Sequence, residues 1–421
     1  MKIKIKDRPY SEVMLIKPPE HKRPEPQSPL FRKLLKILSA SELKAVNFQY
    51  RKTGMERLAS NEPCLVLMNH SSFIDLKIAS TLLCDRAYHV ICTSDGFVGK
   101  EWLMRSIGCI PTRKFQSDTV LVRDMKYAVQ ELKSSILMYP EASYSFDGKA
   151  TPLPKGLGKF IKYLDVPVVM IKTCGAFLRD PLYNNLRTRK VDVSAEMNYL
   201  LSQEDIRGRS VEELNEILKE SFSFDAFKWQ QENSIRIDEP FRADDLDRVL
   251  YKCPHCLCEG KMRGKGENIS CRECGKTYRL NEYGYLEAIE GTAEFTHIPD
   301  WYNWERGEVR KEIAAGAYSM EMPVDICMMV DRKCIYRVGS GTLRHSAEGF
   351  HLTGCNGELD YRQSPEASYS LYSDYYWYEI GDVISIGSAK ALYYCFPKDG
   401  KGLVAKARLA AEELYKITVG E

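Results

Sequence analysis

The residues best suited to chemistry lie in Leu65-Val66-Leu67-Met68-Asn69-His70-Ser71-Ser72-Phe73-Ile74-Asp75. There a short apolar run delivers a histidine, and an aspartate follows five residues later. A histidine can act as a base near neutral pH, and a nearby carboxylate can fix its tautomer and hold the imidazolium that forms. Taken alone, the pair more often describes a capped, hydrogen-bonded structural histidine. Three further features change that balance. Gly108-Cys109-Ile110-Pro111-Thr112-Arg113-Lys114 is a turn ending in two positive charges. Tyr139-Pro140-Glu141-Ala142-Ser143-Tyr144-Ser145 offers a carboxylate in a loop of small residues. Lys155-Gly156 opens a helix, and Val166-Pro167-Val168-Val169 begins the next strand.

A second candidate centre is formed by Cys253-Pro254-His255-Cys256 and Cys271-Arg272-Glu273-Cys274, two knuckles separated by fourteen residues. Each Cys-x-x-Cys turn aims two sulfurs at one point, and four thiolates suit tetrahedral zinc in a structural role. Rubredoxin-like iron accepts the same ligands. The symmetric pairs leave His255 and Cys258 as bystanders. Lys261, Arg263, Lys265 and Arg272 would have to carry any nucleic-acid contact, but a metal-stapled spacer explains so short a segment better. A nucleic-acid partner is therefore not expected.

The elements that must position these residues can be read from periodicity. Between about 50 and 235, β-like runs at Cys64–Met68, Tyr88–Cys92, Ser135–Tyr139 and Val166–Lys172 alternate with helical patterns at Leu76–Leu83, Val120–Leu132 and Pro154–Leu164. That alternation predicts an α/β fold, a sheet layered with helices, and reactive groups in such sheets gather at strand ends. Glu212–Gln231 closes the region with a long helical pattern. Before it, residues 1–45 read as an arm followed by a helix opened by Ser28-Pro29. In that helix Leu30, Phe31, Leu34, Leu35 and Leu38 alternate with Arg32, Lys33 and Lys36. Its apolar stripe suits a bilayer surface or the neighbouring domain equally. The expected organisation is then a catalytic domain over 46–235, a linker over 236–250, a zinc ribbon over 251–282 and a β-rich accessory domain over 290–421. The last of these would be barrel- or sandwich-like and end in the amphipathic helix Gly402–Tyr415.

Composition sets the outer limits. With 421 residues, 44% hydrophobic and 28% charged, the chain reads as a folded one of two or three domains, and a net charge of +2 carries no message as a whole. No apolar run has the length of a membrane span, and the first residues lack a signal-peptide core. Fourteen cysteines, most of them scattered among apolar neighbours, read as a metal site plus buried thiols in a reducing compartment.

The ordered set around His70 resembles the glycerolipid acyltransferases of the lysophosphatidate acyltransferase (PlsC-like) type. The resemblance rests on Asn69, His70 and Asp75, on Gly108, Ile110 and Arg113, on Pro140, Glu141, Ser143 and Ser145, and on Lys155-Gly156 with the Val-Pro-Val that follows. It covers roughly residues 45–235. It implies transfer of an acyl group from a thioester, on coenzyme A or an acyl-carrier protein, to the hydroxyl of a lysophospholipid, with 1-acyl-sn-glycerol-3-phosphate the leading acceptor. His70 and Asp75 would be catalytic. Arg113, Lys114, Glu141, Ser143, Lys155 and Gly156 would bind substrate, and no catalytic metal is implied. The enzyme would sit peripherally on the cytoplasmic face of the cell membrane. One position departs from the family. Tyr144 stands where an arginine is usual, and a phenol cannot supply the charge of an arginine–phosphate contact. Another lipid-like acceptor, or an inactive lipid- or protein-binding adaptor, is the alternative. A serine hydrolase would need a Gly-x-Ser-x-Gly turn, and none surrounds Ser71, Ser72 or Ser143. The accessory domain has a distant likeness to pleckstrin-homology barrels, carried by no fixed motif, and His297, His345 and His351 read as isolated or core residues.

Overall fold

The computed structural model describes residues 3–112, 118–141, 143–367, 369–398, 400 and 402–420. Its first sheet has seven strands in the order Gln49–Thr53, Ser194–Leu201, Val168–Cys174, Leu65–Met68, Ser135–Met138, Tyr88–Thr93 and Cys109–Thr112. The last five of these run parallel, and Ser194–Leu201 is antiparallel to Val168–Cys174. Leu65–Met68 lies in the middle with every residue buried. A central parallel strand covered on both faces needs such an unbroken apolar run. Successive side chains then serve opposite layers. Val66 and Met68 pack with Ile78 and Tyr88, while Leu65 and Leu67 pack with Met125, Ile161 and Leu218.

The expected helices form at Asp75–Leu82, Thr119–Gln130 and Leu157–Leu164. The long pattern after residue 211 is instead two helices, Val211–Phe222 and Ala226–Glu232, because Asp225 caps the second by accepting from Lys228 N at 2.9 Å. Helix Pro29–Ala45 starts where Ser28 and Pro29 place it, with Ser28 Oγ accepting from Phe31 N.

The first residues do not form a free arm. Ile5–Asp7 pairs in parallel with Ile335–Arg337 at the far end of the chain. The C-terminal sheet follows the order Leu359–Gln363, Gly349–Gly354, Ile335–Ser346, Ser319–Met329, Leu392–Pro397, Gly381–Gly387 and Tyr372–Trp377. All its sequential pairings are antiparallel. Helix Leu403–Val419 packs against the last two strands and against a helix the sequence reading did not anticipate, Ile298–Ala314. The sequence places this stretch, with Trp301, Tyr302 and Trp304, in the β-rich region beyond residue 290. In the fold Trp301, Tyr302, Glu305 and Val309 share the buried face of a helix opened by Pro299.

The cysteine segment is a four-stranded antiparallel sheet of Met262–Lys265, Asn268–Cys271, Thr277–Leu280 and Leu286–Ala288. Its Ile269, Tyr278 and Leu286 belong to one apolar core with Trp301, Val309 and Leu409. Residues 236–250 are likewise packed. Ile237, Leu246 and Leu250 are buried, and Arg242 donates to Leu280 O at 2.6 Å and Glu267 Oε1 at 3.0 Å. No helix among the described residues is long and apolar enough to cross a membrane.

Candidate active site

The central strand ends at Met68, and Asn69 ties that end to the next strand. Its Oδ1 accepts from Thr173 N at 2.8 Å, and its Nδ2 donates to Ser71 Oγ at 3.0 Å. The chain then turns through His70–Ile74 into the helix that begins at Asp75. Asp75 reaches back across this turn. A single oxygen, Oδ2, takes Ser71 N at 2.8 Å, Ser72 N at 3.0 Å and His70 Nδ1 at 3.2 Å. The carboxylate is 1% exposed and the imidazole 22%, so the aspartate is sealed while an edge of the histidine reaches solvent. The five-residue spacing is therefore the span of one turn folded onto its own carboxylate.

Two tyrosines hold the ring flat. Tyr139 stacks at 4.3 Å between centroids and Tyr144 at 3.8 Å, with interplanar angles of 30° and 29°. Two near-parallel rings this close cannot share a face, so the imidazole lies between them and is open only at its rim. Burial pushes both phenols well above their ordinary range, which leaves them neutral. Phe73, half exposed, extends the aromatic layer by stacking on Tyr144 at 5.2 Å.

Glu141, expected among the substrate-binding residues, has both oxygens occupied by the protein. Oε2 accepts His70 N at 2.7 Å, and Oε1 accepts Thr151 N at 2.8 Å and Thr151 Oγ1 at 3.3 Å. It is 6% exposed, and burial pushes its carboxyl up. Its place is that of a brace between the His70 turn and the loop after residue 146. Ser143 lies beside it, with an Oγ that is buried and makes no hydrogen bond among the described residues. Ser72 Oγ donates to Asp180, whose carboxyl burial pushes up to about 7, and Arg179 pairs with the same aspartate at 2.6 Å. No serine hydroxyl among the described residues is hydrogen-bonded to His70, so the Ser–His contact of a hydrolase is not formed there.

Lys155 and Gly156 do not join this cluster. They open helix Leu157–Leu164, and Lys155 lines a separate cavity that His70 does not touch. A Cβ at Gly156 would meet nothing within 4 Å. Close approach falls on Gly158 instead, where a Cβ would come within 2.7 Å of Val211 O. Arg113 and Lys114 lie outside the described residues. Tyr139 and Thr151 were missed in the sequence. Tyr139 directly precedes the Pro-Glu of the third motif, whereas nothing local marks Thr151, ten residues beyond Glu141.

The sulfurs of Cys253, Cys256, Cys271 and Cys274 all lie within 4.8 Å of one another. Cys253 and Cys274 approach at 3.7 Å, and Cys256 and Cys271 at 3.6 Å. Such a set can hold a tetrahedral metal ion. Cys258 is outside it, and His255 is turned to Glu294 at 3.0 Å.

Residues 49–172 match the family model described as Acyltransferase. A chloroplastic 1-acyl-sn-glycerol-3-phosphate acyltransferase of Brassica napus is 31% identical over 127 residues, 29% of this chain and 36% of that protein. The chain thus spans about a third of the length of this curated relative. A crystal structure of the 1-acyl-sn-glycerophosphate acyltransferase PlsC from Thermotoga maritima aligns at 18% identity with a TM-score of 0.35, covering 45% of this chain and 78% of that one.

Proposed function

We propose that the protein moves a fatty acyl group from an acyl thioester to the hydroxyl of a lysophospholipid, a reading supported by the match of residues 49–172 to the acyltransferase family model. The donor is acyl-CoA or an acyl-carrier protein. The observation that carries this reading is the His70–Asp75 contact at 3.2 Å beneath an imidazole whose rim alone is open. With Nδ1–H donated to Asp75, Nε2 holds the lone pair. It takes the proton of the acceptor hydroxyl as that oxygen bonds to the thioester carbonyl carbon. Collapse of the tetrahedral adduct breaks the C–S bond, and the proton passes from Nε2 to the departing sulfur, releasing a thiol. General base action of this kind supplies roughly 10²–10⁴-fold in rate. Asp75 orients the ring and stabilises the imidazolium, as the carboxylate does in hydrolase triads.

The similarity to the Brassica 1-acyl-sn-glycerol-3-phosphate acyltransferase supports 1-acyl-sn-glycerol-3-phosphate as the leading acceptor. One observation favours a second reading. Tyr144 covers a face of His70 at the position where the family has an arginine, and this supports a different lysophospholipid, or a lipid-like alcohol or amine, as acceptor. The experiment is an acceptor panel: purified protein, vesicles and labelled acyl-CoA or acyl-carrier protein with lysophosphatidate, other lysolipids and a lipid alcohol, and His70→Ala as blank. Transfer in that blank equal to the unaltered protein would end the proposed mechanism. Absence of transfer to every acceptor would favour the inactive adaptor.

A lipid surface as partner is supported by exposed apolar residues beside the site. Leu30, Ile37 and Leu38 on helix Pro29–Ala45 are 73%, 68% and 64% exposed, and Trp102 is 72% exposed with Phe31 packed on its ring. Phe73 and Leu76 carry the same texture to the rim of His70. Lys33 and Lys36 on that helix suit anionic headgroups, consistent with a peripheral position on the cytoplasmic face of the membrane. For the cysteine centre we propose structural zinc, since its strands share a core with the accessory domain and its four sulfurs fit a closed tetrahedral site.

A further inference from the structure

Behind the His70 turn lies a second buried carboxylate that the proposed reaction does not use. Strand Val168–Cys174, tied to the central strand through Asn69, is followed by Gly175 at a φ of 80°. A Cβ there would come within 2.3 Å of Asp192 O, so this left-handed turn is open to glycine alone. It starts the short helix Ala176–Arg179 and delivers Arg179 and Asp180 to the sheet edge that carries His70. Both charged side chains are buried. Asp180 Oδ1 accepts from Ser72 Oγ, and Oδ2 accepts from Arg179 Nη1 at 2.6 Å. Arg179 Nη2 donates to Glu42 Oε1 at 2.8 Å on helix Pro29–Ala45, and Lys77 of helix Asp75–Leu82 donates to the other Glu42 oxygen. A chain of paired charges thus runs from the N-terminal helix into the His70 turn and ends on Ser72.

Ser72 is the knot of that turn. Its N–H donates to Asp75 Oδ2 at 3.0 Å, and its Oγ accepts from Ile74 N at 3.2 Å while donating to Asp180. Asp75 has little else to orient it. Its Oδ1 is buried and takes no hydrogen bond among the described residues, so the Ser71 and Ser72 amides on Oδ2 set how the carboxylate faces His70 Nδ1. From this geometry we infer that Asp180 is a positioning residue for His70. Through Ser72 it fixes the turn that aims Asp75, and so it keeps the proton on Nδ1 and the lone pair on Nε2. Which imidazole nitrogen is protonated follows from the bond the ring makes at Nδ1, and groups behind a reacting residue fix its geometry in this way. The inference rests on His70 being the base proposed above.

The test is nitrogen-15 NMR of the full chain with labelled histidine, the His70 signals being those missing from His70→Ala. It is run at about pH 8.5, above the value of about 7 to which burial pushes the Asp180 carboxyl. The unaltered protein is expected to show the Nδ1–H tautomer alone, and Ser72→Ala and Asp180→Ala a mixture with Nε2–H. Ser72→Thr, which keeps the hydroxyl, restores the single tautomer. In transfer from labelled acyl-CoA to lysophosphatidate, Ser72→Ala should lower kcat by about tenfold or more with KM little changed, since a hydrogen bond to a charged group is lost behind the base. The double variant Ser72→Ala/Asp180→Ala should be within about twofold of the slower single, because both remove one link. Should Asp180→Ala not fold, Ser72→Ala beside Ser72→Thr decides the matter. An imidazole that keeps its Nδ1 proton in Ser72→Ala would overturn the inference whatever happens to the rate, and so would losses that multiply in the double variant. Absence of transfer by the unaltered protein would end the proposed function instead, and the tautomer measurement, which needs no substrate, would still decide what Asp180 does.

Discussion

Each of the two large sheets sets a histidine against aromatic rings, and only one of the two is placed to react. His70 leaves the carboxyl end of a parallel strand, lies between Tyr139 and Tyr144, gives Nδ1 to Asp75 and keeps an edge in solvent. His345 sits inside the antiparallel strand Ile335–Ser346, stacked flat on Phe350 at 3.7 Å, 1% exposed, with Tyr318 Oη at 2.8 Å as its polar partner. Burial alone pushes His345 down to about 3. Stacking and enclosure are therefore common to both and do not make a base. A carboxylate on one nitrogen of a ring that still reaches solvent does. The topologies produce the difference. Parallel strands send their loops to one edge where polar groups from several elements meet, while an antiparallel meander carries its buried side chains straight into its core.

The contrast is broken most sharply at the two histidines. His70→Ala should reduce acyl transfer by roughly 10²–10⁴-fold in single-turnover assays, with a smaller but large loss in Asp75→Asn; a rate within twofold of the unaltered protein would remove the distinction from His345. Cys271→Ser should abolish bound metal by elemental analysis and lower stability in denaturant titration by more than about 3 kcal/mol, given roughly 10–16 kcal/mol for structural zinc in isolated fingers. Arg408→Met removes the bond from helix Leu403–Val419 to Tyr144 O while Arg306 still neutralises Glu412. A loss of about 2 kcal/mol in stability is expected, together with a drop in kcat that a merely distant domain would not cause.

Tyr144→Arg sharpens the comparison within the site. A charge-assisted contact of roughly 1.5–3 kcal/mol should raise kcat/KM for lysophosphatidate relative to an uncharged lipid alcohol by about tenfold or more. The smallest effect belongs to His345→Phe, which should leave transfer unchanged and alter only the acid limb of stability. The folded value near 3 lies below the ordinary 6.5, so the unfolded chain binds the extra proton. Stability from this residue is complete above about pH 6.5 and is lost as the pH falls toward 3. Denaturant midpoints at pH 7 and 4.5 should converge in the variant if this is right and stay apart if it is not.

Much of the site was legible because its parts are local. An apolar run, a turn and an aspartate five residues on are enough to bring Asp75 onto His70 Nδ1, since the contact closes within a single turn before a helix. The Cys-x-x-Cys knuckles are legible for the same reason, each pair being one tight turn whose sulfurs converge. The parallel core could also be read, because strands buried on both faces must be continuously apolar. Helix Ile298–Ala314 was illegible in its aromatic composition, which fits a strand as well as a helix until tertiary packing selects one face.

What only the tertiary structure decided are the contacts between residues far apart in the chain. The pairing of Ile5–Asp7 with Ile335–Arg337, the second tyrosine against His70, the Thr151–Glu141 brace and the reach of Arg408 to Tyr144 O all join separate elements. No periodicity records such meetings, because the pattern along a helix or strand reports which face is apolar and not what that face will touch. The sequence by itself determined the candidate base and its carboxylate. The fold determined how that candidate base is walled, braced and joined to helix Leu403–Val419.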